Sequence, residues 1–229
     1  MELREAITRT RDGGARVLLL TGAGRGFCAG QDLADRNVSA DAAPVDLGYT
    51  IETYYRPLIL SLRALEMPVI CAVNGVAAGA GASIALACDI VLAARSASFL
   101  QAFSKLGLVP DAGGTWALPR LVGNARAMGM AMLAEKFSAE QAESWGLIWK
   151  CLDDDKLMAE AEKLAVHFST APTKGLARTK QAIYASGGNT LEQQLDLERD
   201  YQRELGFGPD YREGVAAFME KRSAQFTGK

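Results

Sequence analysis

The 229-residue sequence has little of what nucleophilic, redox or metal chemistry usually needs. Its one histidine, His167, falls late in an amphipathic helical pattern. There it reads as a partly exposed helical residue and supplies no base for a Ser-His or Cys-His pair. Four cysteines, Cys28, Cys71, Cys88 and Cys151, are widely spaced with no CxxC pair. They read as small buried residues of a reducing compartment, not as a disulfide framework. The only run of carboxylates, residues 153–155, looks like a solvated turn before a helix, so no metal site is expected.

An excess of charge of one sign is also missing. Twenty-five basic residues against 27 acidic ones leave a net charge of -2, which excludes a global field for nucleic acid or an anionic membrane. No uninterrupted apolar run approaches the roughly 18 residues of a membrane span. The opening MELREAITRTRDGG has neither the apolar stretch nor the cleavage site of a signal peptide, and the expected location is the cytoplasm. What is abundant is apolar side chain, 49% of the sequence, enough for the core of one large domain.

Along the chain, residues 3–11 have a helical pattern that stops at Gly13-Gly14, and ARVLLLTGAG follows as a buried strand feeding a glycine turn. Polar and small residues over 34–48 read as a mobile loop, ahead of a helix over about 49–65. Met67-Pro68 breaks that helix, and residues 69–75, VICAVNG, form a second buried strand. VAAGAGASIALACD then reads as a tightly packed helix, with strands over 90–93 and 98–101 after it. Strand, glycine turn, helix, strand is the signature of an α/β layer with crossovers. After Gly114 the pattern is helical, over 115–121, 123–133, 138–145, 156–169, 173–186, 190–205 and 211–222, with no internal repeat.

Two turns are rich in small residues: TGAGRGFCAGQD (21–32) and NGVAAGAGAS (74–83). Such turns leave backbone N–H groups unobstructed, and at a helix N-terminus they gain the positive end of the dipole. The dinucleotide fingerprint fails, because Phe27 stands where a third glycine is required, and no GxxxxGK[ST] occurs. Close helix-sheet packing explains either turn alone; two turns together suit a pair of convergent oxyanion donors. Ser83 lies in GASIA, which is not the GxSxG of a nucleophile turn. Asp111, in LGLVPDAGGTWALPRLVG, has two readings. It is a helix N-cap or first-turn acid, or a partly desolvated carboxylate with a pKa suited to moving protons.

The segments GRGFCAGQDL, PVICAVNGVAAGAGASIALACDIVLAA, FSKLGLVPDAGGTWALPRLVG and DYREGVAAFMEKRSAQFTGK together resemble the crotonase (enoyl-CoA hydratase/isomerase) superfamily. The wording of RGFCAGQDL, SKLGLVPDAGGTW, LDLERDYQRE and KRSAQFTGK is most similar to an isomerase branch of that family. The resemblance implies an α/β fold: a spiral of ββα turns over 1–170, carrying the CoA and acyl site, and a C-terminal helical region over 171–229 that mediates trimerisation. An N-terminal hairpin usual in the family is expected to be missing. The implied partner is an acyl-CoA thioester, with coenzyme A entering as part of the substrate and no separate cofactor or metal. The implied assembly is a trimer or a dimer of trimers.

The resemblance also implies roles. The oxyanion donors would be the N–H groups of Gln31 and Ala80, with Ala29, Asp32, Leu33 and Gly79 beside them as substrate- or CoA-binding residues. The two glutamates with which hydratases of the family handle water fall at Ser83 and Phe103, so water addition is expected to be poor. That leaves Asp111 as the acid/base of an isomerase, able to take a proton from one carbon and return it at another. Arg25 and Lys221, the latter reaching a neighbouring subunit, are the candidates for the CoA phosphates, though both also read as ordinary surface cations. Phe103, Leu108, Trp116 and Leu118 are candidates for the acyl pocket or for plain core packing. An isomerase of fatty-acid breakdown and a non-catalytic CoA-binding subunit stay open as alternatives.

Overall fold

The computed structural model of the chain describes residues 2–32 and 45–229. Leu33 and most of the loop expected over 34–48 lie outside the described residues. Helix α1 (Glu2–Asp12) leads into strand β1 (Leu18–Thr21), and a second helical passage runs through α2 (Leu47–Thr50), a π-helical stretch (Ile51–Tyr55) and α3 (Arg56–Ala64). Then come β2 (Val69–Val73), β3 (Val76–Ala78), α4 (Ala80–Leu86), β4 (Ile90–Ala94) and β5 (Ser98–Leu100). A 3-10 turn (Ala102–Leu106) precedes the long helix α5 (Gly114–Leu133), followed by β6 (Phe137–Ser138), α6 (Ala139–Ser144) and β7 (Lys150–Leu152). Helices α7 (Leu157–Thr170), α8 (Thr173–Ser186), α9 (Leu191–Gly206) and α10 (Pro209–Glu220) follow.

The apolar run VICAV becomes the centre. Every residue of β2 is buried, as a strand covered on both faces requires. It pairs in parallel with β1 on one side and β4 on the other, and β7 extends the sheet to the order β1-β2-β4-β7. Helix α7 packs across β1, β2 and β4. A second sheet, β3-β5-β6, takes the alternate strands of the same passages. The chain thus visits one sheet, then the other, then a helix: β2-β3-α4, then β4-β5-α5. This is the expected α/β spiral of ββα turns.

Three readings of the sequence need correction. The first residues of VAAGAGASIALACD form β3, not helix, because their backbone groups pair elsewhere: Ala78 N–H donates to Cys28 O at 2.9 Å and Gly79 N–H to Leu100 O at 2.8 Å. Strands β6 and β7 have two and three residues, too few for a period to register. Of the cysteines, Cys71 and Cys88 are buried, whereas Cys28 and Cys151 are partly exposed; all four thiols are free. Helix α5 breaks where the pattern broke, at Gly123, whose φ of 75° and ψ of 164° leave the helical region.

The C-terminal helices are tied back to the core by polar anchors. Arg16 beside β1 donates through Nε to Thr173 Oγ1 at 2.9 Å and through Nη1 to Phe226 O at 3.1 Å. Capping boxes at Ser138/Gln141 and Thr190/Gln193 set the starts of α6 and α9.

Candidate active site

The two glycine-rich turns meet in space. Phe27 N–H and Cys28 N–H both donate to Val76 O at 3.1 Å, and Cys28 bridges Ala77 in parallel. The approach leaves no room for side chains: a Cβ on Gly81 would lie 2.2 Å from Cys28 O. Asn74, which the sequence reading passed over, staples the first turn. Its Oδ1 accepts from Gly22 N–H at 3.1 Å and its Nδ2 donates to Gly24 O at 2.9 Å.

Gly30, with φ of 91°, brings the first turn against the second, so that a Cβ there would lie 3.4 Å from Ala80 N and 3.0 Å from Ala78 O. Gly79, with φ of 53°, is the N-cap of α4, so Ala80 opens that helix. Among the described residues, neither Gln31 N–H nor Ala80 N–H donates to a backbone carbonyl outside the helices and strands. Gln31 and Ala80 both line one cavity of about 220 Å³.

That cavity has four walls. The first turn supplies Ala29, Gly30 and Gln31, and the second Ala78, Gly79 and Ala80. Residues Ala102, Phe103, Leu106, Leu108, Val109 and Asp111 form the third, and Leu47, Thr50, Ile51 and Tyr55 the fourth. The fourth wall was not foreseen, since cavity-facing and core-facing helical side chains carry the same apolar pattern. Asp111 is the one carboxylate among the described lining residues.

The turn that carries Asp111 is built from two successive left-handed residues, Ala112 with φ of 49° and Gly113 with φ of 82°. Asp111 O accepts from Gly114 N–H at 2.8 Å, and the N-cap of α5 is Gly113. Asp111 is therefore two residues ahead of the cap, which corrects the helix-capping reading. Its Oδ1 is buried from solvent.

Ser83 and Phe103 are both buried. Ser83 Oγ lies 2.9 Å from where a Cβ on Gly114 would be, so α4 and the Asp111 turn touch at that hydroxyl. The Phe103 ring is 3.7 Å from the corresponding point on Gly79 and walls the cavity beside Ala80.

Other candidates stand apart. Trp116 does not line the cavity; two guanidinium groups lie over its ring, Arg63 at 4.5 Å and Arg120 at 4.1 Å from the centroid. Its ring face is thereby used in cation-π contact. Leu118 is buried in the core. Arg25 and Asp32 are exposed on the first turn, and Lys221 is exposed, left-handed with φ of 55°, at the end of α10; none of the three lines the cavity. Leu33 lies outside the described residues. Among the described residues, no three His, Cys, Asp or Glu side chains come together, and no helix is long and apolar enough to cross a membrane.

Gln31, Ala80 and Asp111, the residues to which the resemblance gives roles, line one cavity. The model of the Enoyl-CoA hydratase/isomerase family matches residues 1–229. The chain belongs to the enoyl-CoA hydratase/isomerase family. It is similar to the 1,2-epoxyphenylacetyl-CoA isomerase of Escherichia coli K12, 63% identical over 219 residues that cover 96% of this chain and 84% of that protein. A probable enoyl-CoA hydratase of Rhodobacter capsulatus is 49% identical over 228 residues, covering 100% of this chain and 87% of the relative. Among solved structures, an enoyl-CoA hydratase from Polaromonas sp. JS666 superposes with a TM-score of 0.91 at 37% identity, covering 98% of this chain and 87% of that one. The family's fold is the spiral described above.

Proposed function

We propose that this family member is a CoA-thioester isomerase that converts ring-1,2-epoxyphenylacetyl-CoA to oxepin-CoA and moves a 3,4 double bond of an enoyl-CoA to the 2,3 position. The observation that carries the proposal is Asp111 as the one carboxylate among the described residues of a cavity that Gln31 and Ala80 also line. In the double-bond shift, the thioester oxygen lies between the two donors. Asp111 removes a proton from the α-carbon, the C–H electron pair passes into the thioester as an enolate, and the oxygen's charge is held by the N–H pair. The pair returns through the chain, the bond moves, and the same carboxyl delivers its proton to the γ-carbon. In the epoxide substrate, the carboxylate assists proton movement and charge development as the ring rearranges.

Similarity to the isomerase at 63% identity supports this reading over the hydratase reading suggested by the relative at 49%. So do Ser83 and Phe103, which cannot activate water as two carboxylates do. We place CoA phosphates against Arg25 and a neighbouring subunit's Lys221, in a cytoplasmic trimer or dimer of trimers whose contacts come from residues 171–229. The exposed Phe218 and Met219 on α10 support a covered face there.

Asp111→Asn tests the function. Isomerisation should fall by about 10²–10⁴-fold, the usual contribution of a positioned acid/base, while binding of CoA stays within about twofold. Wild-type protein given a 2-enoyl-CoA should show little hydration. Near-normal turnover by the Asn variant, or hydration faster than isomerisation, overturns the assignment.

A further inference from the structure

The helical wall of the cavity contains a feature that the mechanism has not used. Between α2 and α3, residues Ile51–Tyr55 form a π-helical stretch, and Arg56 N–H at its end donates to Ile51 O, five residues back. Such widened turns are rare and concentrate at functional sites. Here the widening has a geometric effect. Leu47 and Tyr55 are eight residues apart, about 0.8 residue more than two α-helical turns of 3.6. The wider turn absorbs that excess, and both residues line the cavity.

What Tyr55 does there is hold the first donor's residue. Its O–H donates to Gln31 Oε1 at 3.0 Å across 24 residues of sequence. Gln31 follows Gly30, whose φ of 91° and missing Cβ leave the Gly30–Gln31 peptide free to rotate more than an ordinary one. That peptide carries the N–H assigned to the oxyanion. A side-chain tether on Gln31 restricts its rotation and keeps the N–H aimed at the cavity, which is the preorganisation that gives such donors their catalytic effect.

We infer that Tyr55 is a positioning residue for the reaction: through Gln31 Oε1 it fixes the direction of the Gln31 N–H, and the π turn exists in this helix to bring its hydroxyl there. The inference rests on the isomerase reading of the same cavity. Tyr55 touches no reacting atom in this role. It acts on the step in which charge appears on the thioester oxygen, and so on kcat more than on KM.

The test is a double-mutant cycle on the full chain. Tyr55→Phe should lower kcat for a 3-enoyl-CoA by about 10- to 30-fold, less than the 10²–10³-fold typical of deleting a donor, with KM changed by less than about twofold. Gln31→Ala should cost a similar factor, and the double variant should be no slower than the slower single one, because both cut the same tether. A thermal melt of each variant checks that the fold persists. Multiplicative losses would mean that Tyr55 meets the substrate itself, and an unchanged kcat in Tyr55→Phe would mean that the tether does not matter; either result overturns the inference. Asp111→Asn, run alongside, separates the two levels. If it also turns over normally, the isomerase reading fails, whereas its loss beside an intact Tyr55→Phe defeats only the positioning role.

Discussion

The open side of Gly30 faces the backbone nitrogen of Ala80, 3.4 Å from where a Cβ would stand, and Ala78 O lies 3.0 Å from the same point. The two turns that frame the proposed oxyanion site are therefore in direct backbone contact, with no side chain between them. Their spacing is set by what Gly30 lacks.

Gly30→Ala should disturb that spacing. The added methyl must push Ala78 O away by a few tenths of an ångström and strain a backbone at φ of 91°. Because both donors belong to the displaced turns, kcat should fall by about 10- to 100-fold, the range between a loosened and a deleted donor. The fold should survive, since the substitution lies on a surface turn. Steady-state kinetics with a 3-enoyl-CoA and a thermal melt check both halves. A variant with wild-type kcat would show that the turns can separate without harm.

How much of this was open to sequence reading depends on how local each signal is. The central strand β2, the glycine turns and Asp111 carry their own signatures: a continuous apolar run, clustered small residues, and an acid isolated among apolar neighbours. Trp116, open between pocket and core in the sequence, lies beside Arg63 of another helix, 53 positions earlier in the chain, a contact that no local pattern shows. The helical wall of Leu47, Thr50, Ile51 and Tyr55 was missed for a related reason. A helix turned toward a cavity shows the same periodicity as one turned toward the core, and a π turn has no composition of its own. The helix-cap reading of Asp111 failed on two residues of register, which the left-handed pair Ala112-Gly113 inserts ahead of α5.

A buried ion pair fastens α8 to the core and makes a second prediction. Lys180 Nζ lies 2.9 Å from Asp89 Oδ2, with side-chain exposures of only 7% and 16%. Asp89 Oδ2 also accepts from Val69 N–H at 2.8 Å, and its Oδ1 accepts from Tyr184 O–H. That burial and the adjacent carboxylate push the Tyr184 phenol above its ordinary range, so it stays a donor. Lys180→Met leaves the Asp89 charge buried beside apolar neighbours and should cost about 3–5 kcal/mol. Adding Asp89→Asn removes that charge while keeping an acceptor for Val69, so the double variant should be more stable than Lys180→Met alone. Urea unfolding at fixed protein concentration checks the order; equal stability of wild type and Lys180→Met would show that the pair holds nothing.

The third prediction concerns acid. Glu204 on α9 receives two hydrogen bonds from Arg178 on α8, at 2.7 and 2.9 Å, and lies 3.1 Å from Lys174 Nζ. The hydrogen bond from Arg178, followed by that from Lys174, holds the Glu204 carboxyl at about 2, against an ordinary 4.5. A carboxylate whose pKa is lowered by folding stabilises the native state at pH values above its unfolded pKa, and that stabilisation disappears as pH falls toward the folded value. The stability gap between wild type and Glu204→Gln should therefore be constant from neutral pH down to about 5. It should then close between about 4.5 and 2. Added salt should narrow the gap at neutral pH, since the pair is partly exposed and open to screening. Thermal melts of the two proteins across that range check the sign. A gap that widens on acidification would mean that the α8–α9 contact depends on some other titrating group.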